Sequence, residues 1–493
     1  MRNYQKHDLA ELAARAMRER GLAPEFPPAA LAQLQRIDGP GNETGPGIED
    51  MRALPWCSID NDDSRDLDQL TVSETQADGS VKILVAIADV DALVPDDTPI
   101  DQHARGNTTS VYTSARIFPM LPERLSTDLT SLNPGEPRLA MVTTIHIEPN
   151  GDVRSSRLCR ARVLNHAKLA YDAVAAWIEG QGQLPEAAAR VPGMEAQLRA
   201  QDSVAQQLRA RRRERGALEF QTLQPKAVFD GERVVRVVQQ EQNRARQLIE
   251  EFMIATNGET ARFLQRAGRA SIRRVVRSPE RWARIAEVAL EHGTTLPPEP
   301  DAEALEAFLA KERARDPLRF PDLSLVVVKL MGSGEYVVEV PGGPKLGHFG
   351  LAVRDYAHST APNRRYPDLV TQRLVKAVLG RRNAPYSHAE LAGIAAHCTR
   401  QEDAANKVER QMRKSEVAQL LAPRLGEVFD GVITGAANGK TWLRVFNPPA
   451  EGRLHLPERL GPPLRVGQLV QARLESTDVE HGFIDFNWMA NRP

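Results

Sequence analysis

The sequence predicts an α+β protein with a separate five-stranded barrel towards its C-terminal end. Between about residues 50 and 380, strand-like and helix-like stretches follow one another without strict β-α alternation, which argues against a doubly wound parallel sheet. From 424 to 488 the pattern changes to five short pieces, GEVFDGVIT, KTWLRVF, GRLHL, GQLVQARLES and HGFIDFN, parted by Gly, Pro and Asn turns. Five strands in about 65 residues fit an oligonucleotide-binding barrel. A helical N-terminal stretch completes a division into residues 1–45, 46–420 and 424–488. With 493 residues, 41% hydrophobic and 26% charged, the chain has the composition of a soluble globular protein of two to four domains.

The first forty residues carry two helical patterns separated by Pro24, Pro27 and Pro28. Leu9, Leu12, Ala16 and Met17 share one face, and Leu31 and Leu34 share another. A small helical module fits, with a helix-turn-helix as one arrangement of it. The segment GPGNETGPG (39–47) reads as a linker. Strands are expected at 81–90, 141–148 and 234–238. Helices are expected at 241–266, with Leu248, Phe252, Ala255 and Leu264 on the buried face, at 295–316 in a charged, Pro-containing region, and at 366–379 after Arg364 and Arg365. In the barrel, Trp442, Phe446, Phe483 and Trp488 offer rings that either stack on bases or fill the core, and core is the commoner fate of such rings.

Several classes are excluded. No apolar run approaches the roughly 18 residues of a membrane-spanning helix, and the N-terminus has no apolar h-region of a secretory signal. Cys57, Cys159 and Cys398 follow no CxxC or zinc spacing, so they read as buried thiols in a reducing, cytoplasmic setting. The formal net charge is −1, but the charge is segregated: LRARRRERG (208–216) and QRAGRASIRRVVR (265–277) are strongly basic. Such runs suit phosphate binding, with solvated helix faces as the competing reading.

Charge of the other sign is concentrated in LPWCSIDNDDSRDLDQL, where Asp60, Asp62, Asp63, Asp66 and Asp68 fall within nine residues. Like charges so close together repel one another, and a divalent cation is their natural counter-charge. A solvated acidic loop is the competing reading. Interleaved Ile59, Leu67 and Leu70, and the strand pattern that follows, place the cluster at a core edge instead. It is not an EF-hand. A loop starting at Asp60 puts Arg65 at the turn-glycine position and Thr71 at the bidentate-glutamate position. Starting at Asp62 or Asp63 puts Leu67 or Asp68 where that glycine belongs.

IDNDDSRDLDQL, VAIADV, FPMLPERLSTDLTSLNPGEPRLAM (118–141), RGALEF (215–220), LIEEFMIATN (248–257) and GHFGLAVRDYAHSTAPNRRYPDLV (347–370), in this order, resemble the ribonuclease II/ribonuclease R family of RNB-domain enzymes. The resemblance covers about residues 50 to 488 and implies an RNB catalytic domain followed by an RNA-binding barrel. It implies processive 3′→5′ hydrolysis of single-stranded RNA to nucleoside 5′-monophosphates in RNA turnover, by a cytoplasmic, usually monomeric enzyme that uses Mg²⁺, with Mn²⁺ as a substitute. Asp60, Asp66 and Asp68 match the catalytic and metal-binding aspartates, Asp68 holding the most essential position. Arg364 matches the arginine that grips the phosphate at the scissile bond, with Arg365 beside it among the RNA-contacting residues. Tyr112 matches the tyrosine that stacks on the 3′-terminal base and helps set the smallest product. Glu409 matches a glutamate near that arginine. Glu250 and Glu251 lie on the helix that approaches the ribose, where one of them would read the 2′-hydroxyl.

The sequence departs from the family pattern in places. Gln69 stands where a second adjacent aspartate is usual, so one metal ligand loses its charge. Ala227 aligns with a base-clamping phenylalanine, and Ala361-Pro362-Asn363-Arg364 replaces Ser-Pro-Ile-Arg but keeps the arginine. The helical N-terminal stretch stands where the family carries two cold-shock barrels, so the RNA entrance is expected to be built differently. Gln69 and Ala227 leave a second reading open, an RNA-binding protein with weakened or no turnover. A third, a metal-dependent DNA nuclease, is disfavoured by the family resemblance.

Overall fold

The computed structural model describes residues 5–221, 225–231, 233–239, 242–317, 319–344, 346–437, 439–457, 464 and 467–491. The N-terminal stretch forms α1 (Lys6–Glu19) and α2 (Pro28–Gln35), with Pro28 at the first helical position, where a missing N–H does no harm. Leu9, Leu12, Ala16 and Met17 are buried as their spacing predicts. On α2 the buried residue is Ala30, while Leu34 packs only at the core margin and Leu31 is exposed. The two helices join different cores, so they do not form a helix-turn-helix, whose helices pack on each other.

The central sheet begins with β1 (Ile48–Asp50), β2 (Trp56–Asp60), β3 (Gln69–Thr75) and β4 (Val81–Ala88). After α3 (Pro99–Asn107) and a small hairpin, β5 (Val111–Tyr112) and β6 (Ile117–Phe118), come the long strands β7 (Pro137–Ile147) and β8 (Val153–Ala170). β2, β3, β4, β7 and β8 pair in succession, and β8 then returns to β2, so the strand order closes on itself. The 18-residue length of β8 permits this: it pairs antiparallel with β7 up to Leu164 and parallel with β2 from Asn165 to Ala170. β4 is buried on both faces, its alternate residues Leu84, Ala86 and Ala88 entering one core and Ile83, Val85 and Ile87 the other. Because Asp60 ends β2 and Gln69 opens β3, the aspartate loop projects from one end of this sheet.

Helices cover both cores. α4 (Tyr171–Ile178), α5 (Glu186–Ala189) and α6 (Met194–Glu214) precede the hairpin β9 (Pro225–Asp230) and β10 (Arg233–Gln239). α7 (Arg244–Arg266) starts at an Asn243 cap whose side chain accepts the Arg246 N–H, and it buries Leu248, Phe252 and Leu264. β11 (Ser271–Val275), α8 (Trp282–Glu291), α9 (Ala302–Arg315), α10 (Phe320–Met331) and β12 (Glu335–Glu339) follow, with β11 and β12 paired. Gly216, at φ +84°, lets the chain pass the start of α9, where a Cβ would lie 2.7 Å from the Glu303 nitrogen. α11 (Tyr366–Leu379) is buried along nearly its whole length. α12 (His388–Leu421), 34 residues long, opens on a Ser387/Glu390 capping box. α12 packs against α1, the β5–β6 hairpin and the barrel.

The barrel is closed in the order β13-β14-β15-β17-β16, from β13 (Val428–Ala437), β14 (Lys440–Val445), β15 (Ala450–His455), β16 (Leu469–Asp478) and β17 (Phe483–Asn491). Its core is Val432, Ile433, Leu443, Val445, Leu454, Leu474, Ile484 and Phe486. None of Trp442, Phe446, Phe483 and Trp488 is a core residue; Phe483 is 62% exposed. Among the contacts that fix the barrel to the rest of the chain are two close ones. Arg444 makes a two-pronged pair with Asp322 of α10, at 3.0 and 2.8 Å. The β16–β17 turn rests on α12 so closely that a Cβ at Gly482 would meet that of Lys414 at 2.8 Å.

The arginine runs are not open basic surfaces. Arg209 and Arg313 hold Glu219, Arg211 and Arg215 hold Asp152, and Arg212 holds Glu251. In the second run Arg273 pairs with Glu339, Arg274 with Glu402 and Arg277 with Glu335. Most of the charge concentrated in these runs is paired with acids brought from elsewhere in the chain. Among the described residues no helix is long and apolar enough to cross a membrane, and all three cysteines are buried and free.

Candidate active site

The loop between β2 and β3 splits the five aspartates by role. Asp62 and Asp63 are exposed in a turn. Asp60 is half-buried and turned inward on its own loop, its Oδ1 accepting the Asn61 N–H at 2.7 Å and the Ser64 hydroxyl at 2.9 Å. Burial raises the pKa of Asp66, with its own backbone amide, the Arg364 charge and the nearby Tyr112 hydroxyl opposing. Asp68 is only 5% exposed. Arg364, from the loop before α11, donates Nε to its Oδ2 at 2.7 Å. Burial still dominates and, with Asp66 adding repulsion, pushes the Asp68 carboxyl up to about 7.

Among the described residues no group of three His, Cys, Asp or Glu side chains is placed to hold an ion. Two of the carboxylates are already partly engaged, Asp60 with its own loop and Asp68 with Arg364. The donor set nonetheless suits a hard cation. It consists of oxygens, and two of them, Asp68 Oδ1 and Gln69 Oε1, are buried without a hydrogen-bond partner. Mg²⁺ sites commonly take one or two protein ligands and complete the shell with water and substrate phosphate, so an incomplete set fits this ion. Gln69 is itself buried, its amide donating to the Ile59 carbonyl at 3.3 Å.

Arg364 keeps 44% of its side chain open to solvent while Asp68 fixes its Nε, so the guanidinium is oriented before any ligand arrives. Arg365 points elsewhere. Its guanidinium donates to the buried Asp368 at 2.7 Å and to the Thr360 hydroxyl at 3.3 Å, so it is engaged within the protein at the start of α11. Tyr112 is 37% exposed and stands beside the aspartates. Glu409 of α12 is not aimed at the arginine; it accepts the Tyr112 backbone N–H at 2.9 Å and so holds the strand that carries the tyrosine. Of the two glutamates on α7, Glu251 is buried and doubly paired with Arg212, while Glu250 is exposed. Ala227 is buried in β9 opposite Val237, so no ring faces Tyr112 from that position.

Two residues missed in the sequence complete the site. Tyr171, first residue of α4, follows Ala170, which pairs with Asp60 at the end of β8. Arg246 lies over the Tyr171 ring at 4.4 Å and donates to Asn61 at 2.9 Å, next to Asp60. Burial first, then the Asp60 charge, raises the Tyr171 pKa. The available signal was helical spacing: Arg246 and Glu250 are four residues apart and share one face of α7.

A buried carboxylate backed by an oriented arginine, flanked by further aspartates and an accessible tyrosine, defines a phosphodiester-handling class of site. The chain belongs to the RNB-domain family, whose model matches residues 48–381, and residues 427–488 match the RNase II-type exonuclease C-terminal S1 domain. It is similar to ribonuclease R of Escherichia coli (strain K12), with 31% identity over 487 residues that cover 91% of this chain and 58% of that protein. Against ribonuclease R of Thermotoga maritima the identity is 28%, over 98% of this chain and 69% of the relative. The chain thus spans less than two thirds of the length of its Escherichia coli relative. Among solved structures, Mycoplasma genitalium RNase R in complex with ribose-methylated single-stranded RNA superposes with a TM-score of 0.88 at 21% identity, covering 98% of this chain and 78% of that one. Yeast Ssd1, a pseudonuclease, shares the fold at a TM-score of 0.72 and 15% identity, covering 96% of this chain and 59% of that one.

Proposed function

We propose that this chain is a processive 3′→5′ exoribonuclease that hydrolyses single-stranded RNA to nucleoside 5′-monophosphates in RNA degradation. The observation that carries the reading is Asp68: buried, fixed on one oxygen by Arg364 and unpartnered on the other. The free buried thiols suit a reducing, cytoplasmic setting, and a monomer suffices because the site draws on one chain.

Asp60, Asp66 and Asp68, with Gln69 Oε1 as a neutral ligand, would hold Mg²⁺ or Mn²⁺, which when bound lowers the pKa of a water and offsets charge on the phosphate. Arg364 binds the phosphate next to the bond that breaks; its planar fork suits two phosphate oxygens. Asp68 Oδ1 is the acceptor left for an ion or for the proton of an attacking water. Tyr112 stacks on the 3′-terminal base, its strand held in place by the bond from its backbone N–H to Glu409. Glu250, on the face it shares with Arg246, accepts the ribose 2′-hydroxyl and favours RNA over DNA.

The replacement of a charged ligand by Gln69 favours one second reading, an RNA-binding protein with weak turnover. The test uses 5′-labelled single-stranded RNA, a duplex with a 3′ overhang and matched DNA, each with Mg²⁺. Conversion of full-length RNA to a short 5′-labelled end product, without intermediates piling up along the way, supports the processive exonuclease. Tight binding of intact RNA supports the second reading, and cuts at internal positions contradict both.

A further inference from the structure

Glu416 lies on α12 with 1% of its surface exposed, yet among the described residues it makes no ion pair. Its Oε2 accepts the Ser114 hydroxyl at 2.9 Å, and its Oε1 has no hydrogen-bond partner. The neighbouring Ser415 hydroxyl is likewise buried and unpartnered. Arg413 acts on Glu416 only at longer range. A carboxylate removed from water without a cation destabilises the fold, and an apolar side chain would fill the space at lower cost. Packing alone therefore does not account for a glutamate here.

What Glu416 holds does account for it. Ser114 belongs to the turn between β5 and β6, two residues beyond Tyr112. Glu409 lies two helical turns before Glu416, on the same side of α12, and accepts the Tyr112 N–H. One helix thus grips the hairpin at two points, one on the tyrosine strand and one on the turn. Within the turn, Thr113 and Arg116 bond to each other through side chain and backbone, so it moves as a unit. The tyrosine at its edge reaches Asp66.

We propose that Glu416 is a positioning residue which, together with Glu409, sets the stand-off of the Tyr112 ring from the catalytic carboxylates, and with it the length at which degradation of an RNA stops. This rests on Tyr112 being the platform for the 3′-terminal base. The free energy lost by burying the acid is offset by a hairpin fixed at its first strand and at its turn.

The experiment measures the end product of a 5′-labelled single-stranded RNA at single-nucleotide resolution, for the wild type, Glu416→Ala, Glu416→Gln, Tyr112→Ala and the Glu416→Ala/Tyr112→Ala pair. Glu416→Ala is expected to lengthen the end product by several nucleotides, in the same direction as Tyr112→Ala. Glu416→Gln is expected to keep the wild-type end product, because its amide oxygen still accepts the Ser114 hydroxyl. The double variant should stop no earlier than Tyr112→Ala alone, since Glu416 acts through the tyrosine. Ser114→Ala removes the same bond from the other side and is expected to reproduce the shift, which keeps the test valid even where Glu416→Ala fails to fold. A wild-type end product from Glu416→Ala or Ser114→Ala overturns the proposal, and so does an additive double variant. A wild type that degrades no RNA overturns the exonuclease reading itself, which is a separate outcome.

Discussion

Glu250 and Glu251 are adjacent carboxylates on one helix, yet the structure gives them different work. Glu251→Ala removes the partner of Arg212, a guanidinium only 16% exposed, from a pair in which the carboxylate is 3% exposed. Removing one partner of such a buried pair costs about 3–5 kcal/mol, because the other charge is left without compensation. For a catalytic domain of roughly 330 residues, unfolding entropy near 2.1 cal/mol/K per residue is about 0.7 kcal/mol/K, so Tm should fall by about 4–7 °C. Glu250→Ala, at an exposed position, should change stability by less than about 0.5 kcal/mol, or under 1 °C. Its effect should appear instead in substrate choice: losing one hydrogen bond to the 2′-hydroxyl, about 1–1.5 kcal/mol, narrows the preference for RNA over matched DNA roughly tenfold. Melting curves at one pH, followed by rates on RNA and DNA of the same sequence, separate the two. A Glu251→Ala protein that melts with the wild type but loses discrimination would refute the reasoning, because Glu251 would then face the substrate.

Other outcomes follow from the same geometry. Burial pushes the Glu416 carboxyl up to about 7 from 4.5, against the opposing Ser114 bonds and Arg413. A raised folded-state value means stability is fullest below about 4.5 and is lost as pH climbs through 7, by at most about 3 kcal/mol. Glu416→Gln should therefore melt above the wild type at pH 8, with the gap closing towards pH 4.5; a gap that does not vary with pH contradicts this. Gln69→Asp restores a charged ligand and should lower the Mg²⁺ or Mn²⁺ concentration for half-maximal activity, whereas an unchanged metal titration would remove Gln69 from the ligand set. Arg444→Ala breaks the two-pronged pair with Asp322 and should weaken binding of RNAs long enough to reach the barrel by roughly tenfold, about 1.4 kcal/mol, while sparing the shortest substrates. Equal losses at all lengths would show that the barrel's placement does not matter for binding.

Local patterns were legible in the sequence, and long-range pairings were not. Leu9, Leu12, Ala16 and Met17 repeat at helical spacing and are all buried. Residues 83–88 are buried on both faces because every position there is apolar. The aspartate spacing marked only the cluster Asp60 to Asp68 as a whole; it was the family resemblance that singled out Asp60, Asp66 and Asp68 within it. By contrast, Arg212 and Glu251 are 39 residues apart and Arg444 and Asp322 are 122 apart, and no periodicity links them. The arginine runs therefore read as open basic surface until the fold brought acids to them. Successive residues on a helix point about 100° apart, so only the docking of α6 against α7 decides which of Glu250 and Glu251 is buried. The outward rings of the barrel were readable after all: Leu443 and Val445 point inward, so Trp442 and Arg444 between them must point out. The sequence singled out Glu409 but not its contact, because its partner is the Tyr112 backbone amide, which no side-chain pattern reports.

The central claim is that Asp68, backed by Arg364, is the group on which RNA hydrolysis depends. Its most direct test is Asp68→Asn, which keeps the shape of the side chain and removes its charge, assayed with 3′-end-labelled single-stranded RNA and Mg²⁺ alongside a binding titration. The account predicts that the wild type releases the label at once as a nucleoside 5′-monophosphate. It predicts that the variant binds the RNA within a few-fold of wild type but releases label at least a hundredfold more slowly, a loss of about 2.7 kcal/mol or more in transition-state stabilisation. Undiminished label release by the variant would contradict the account.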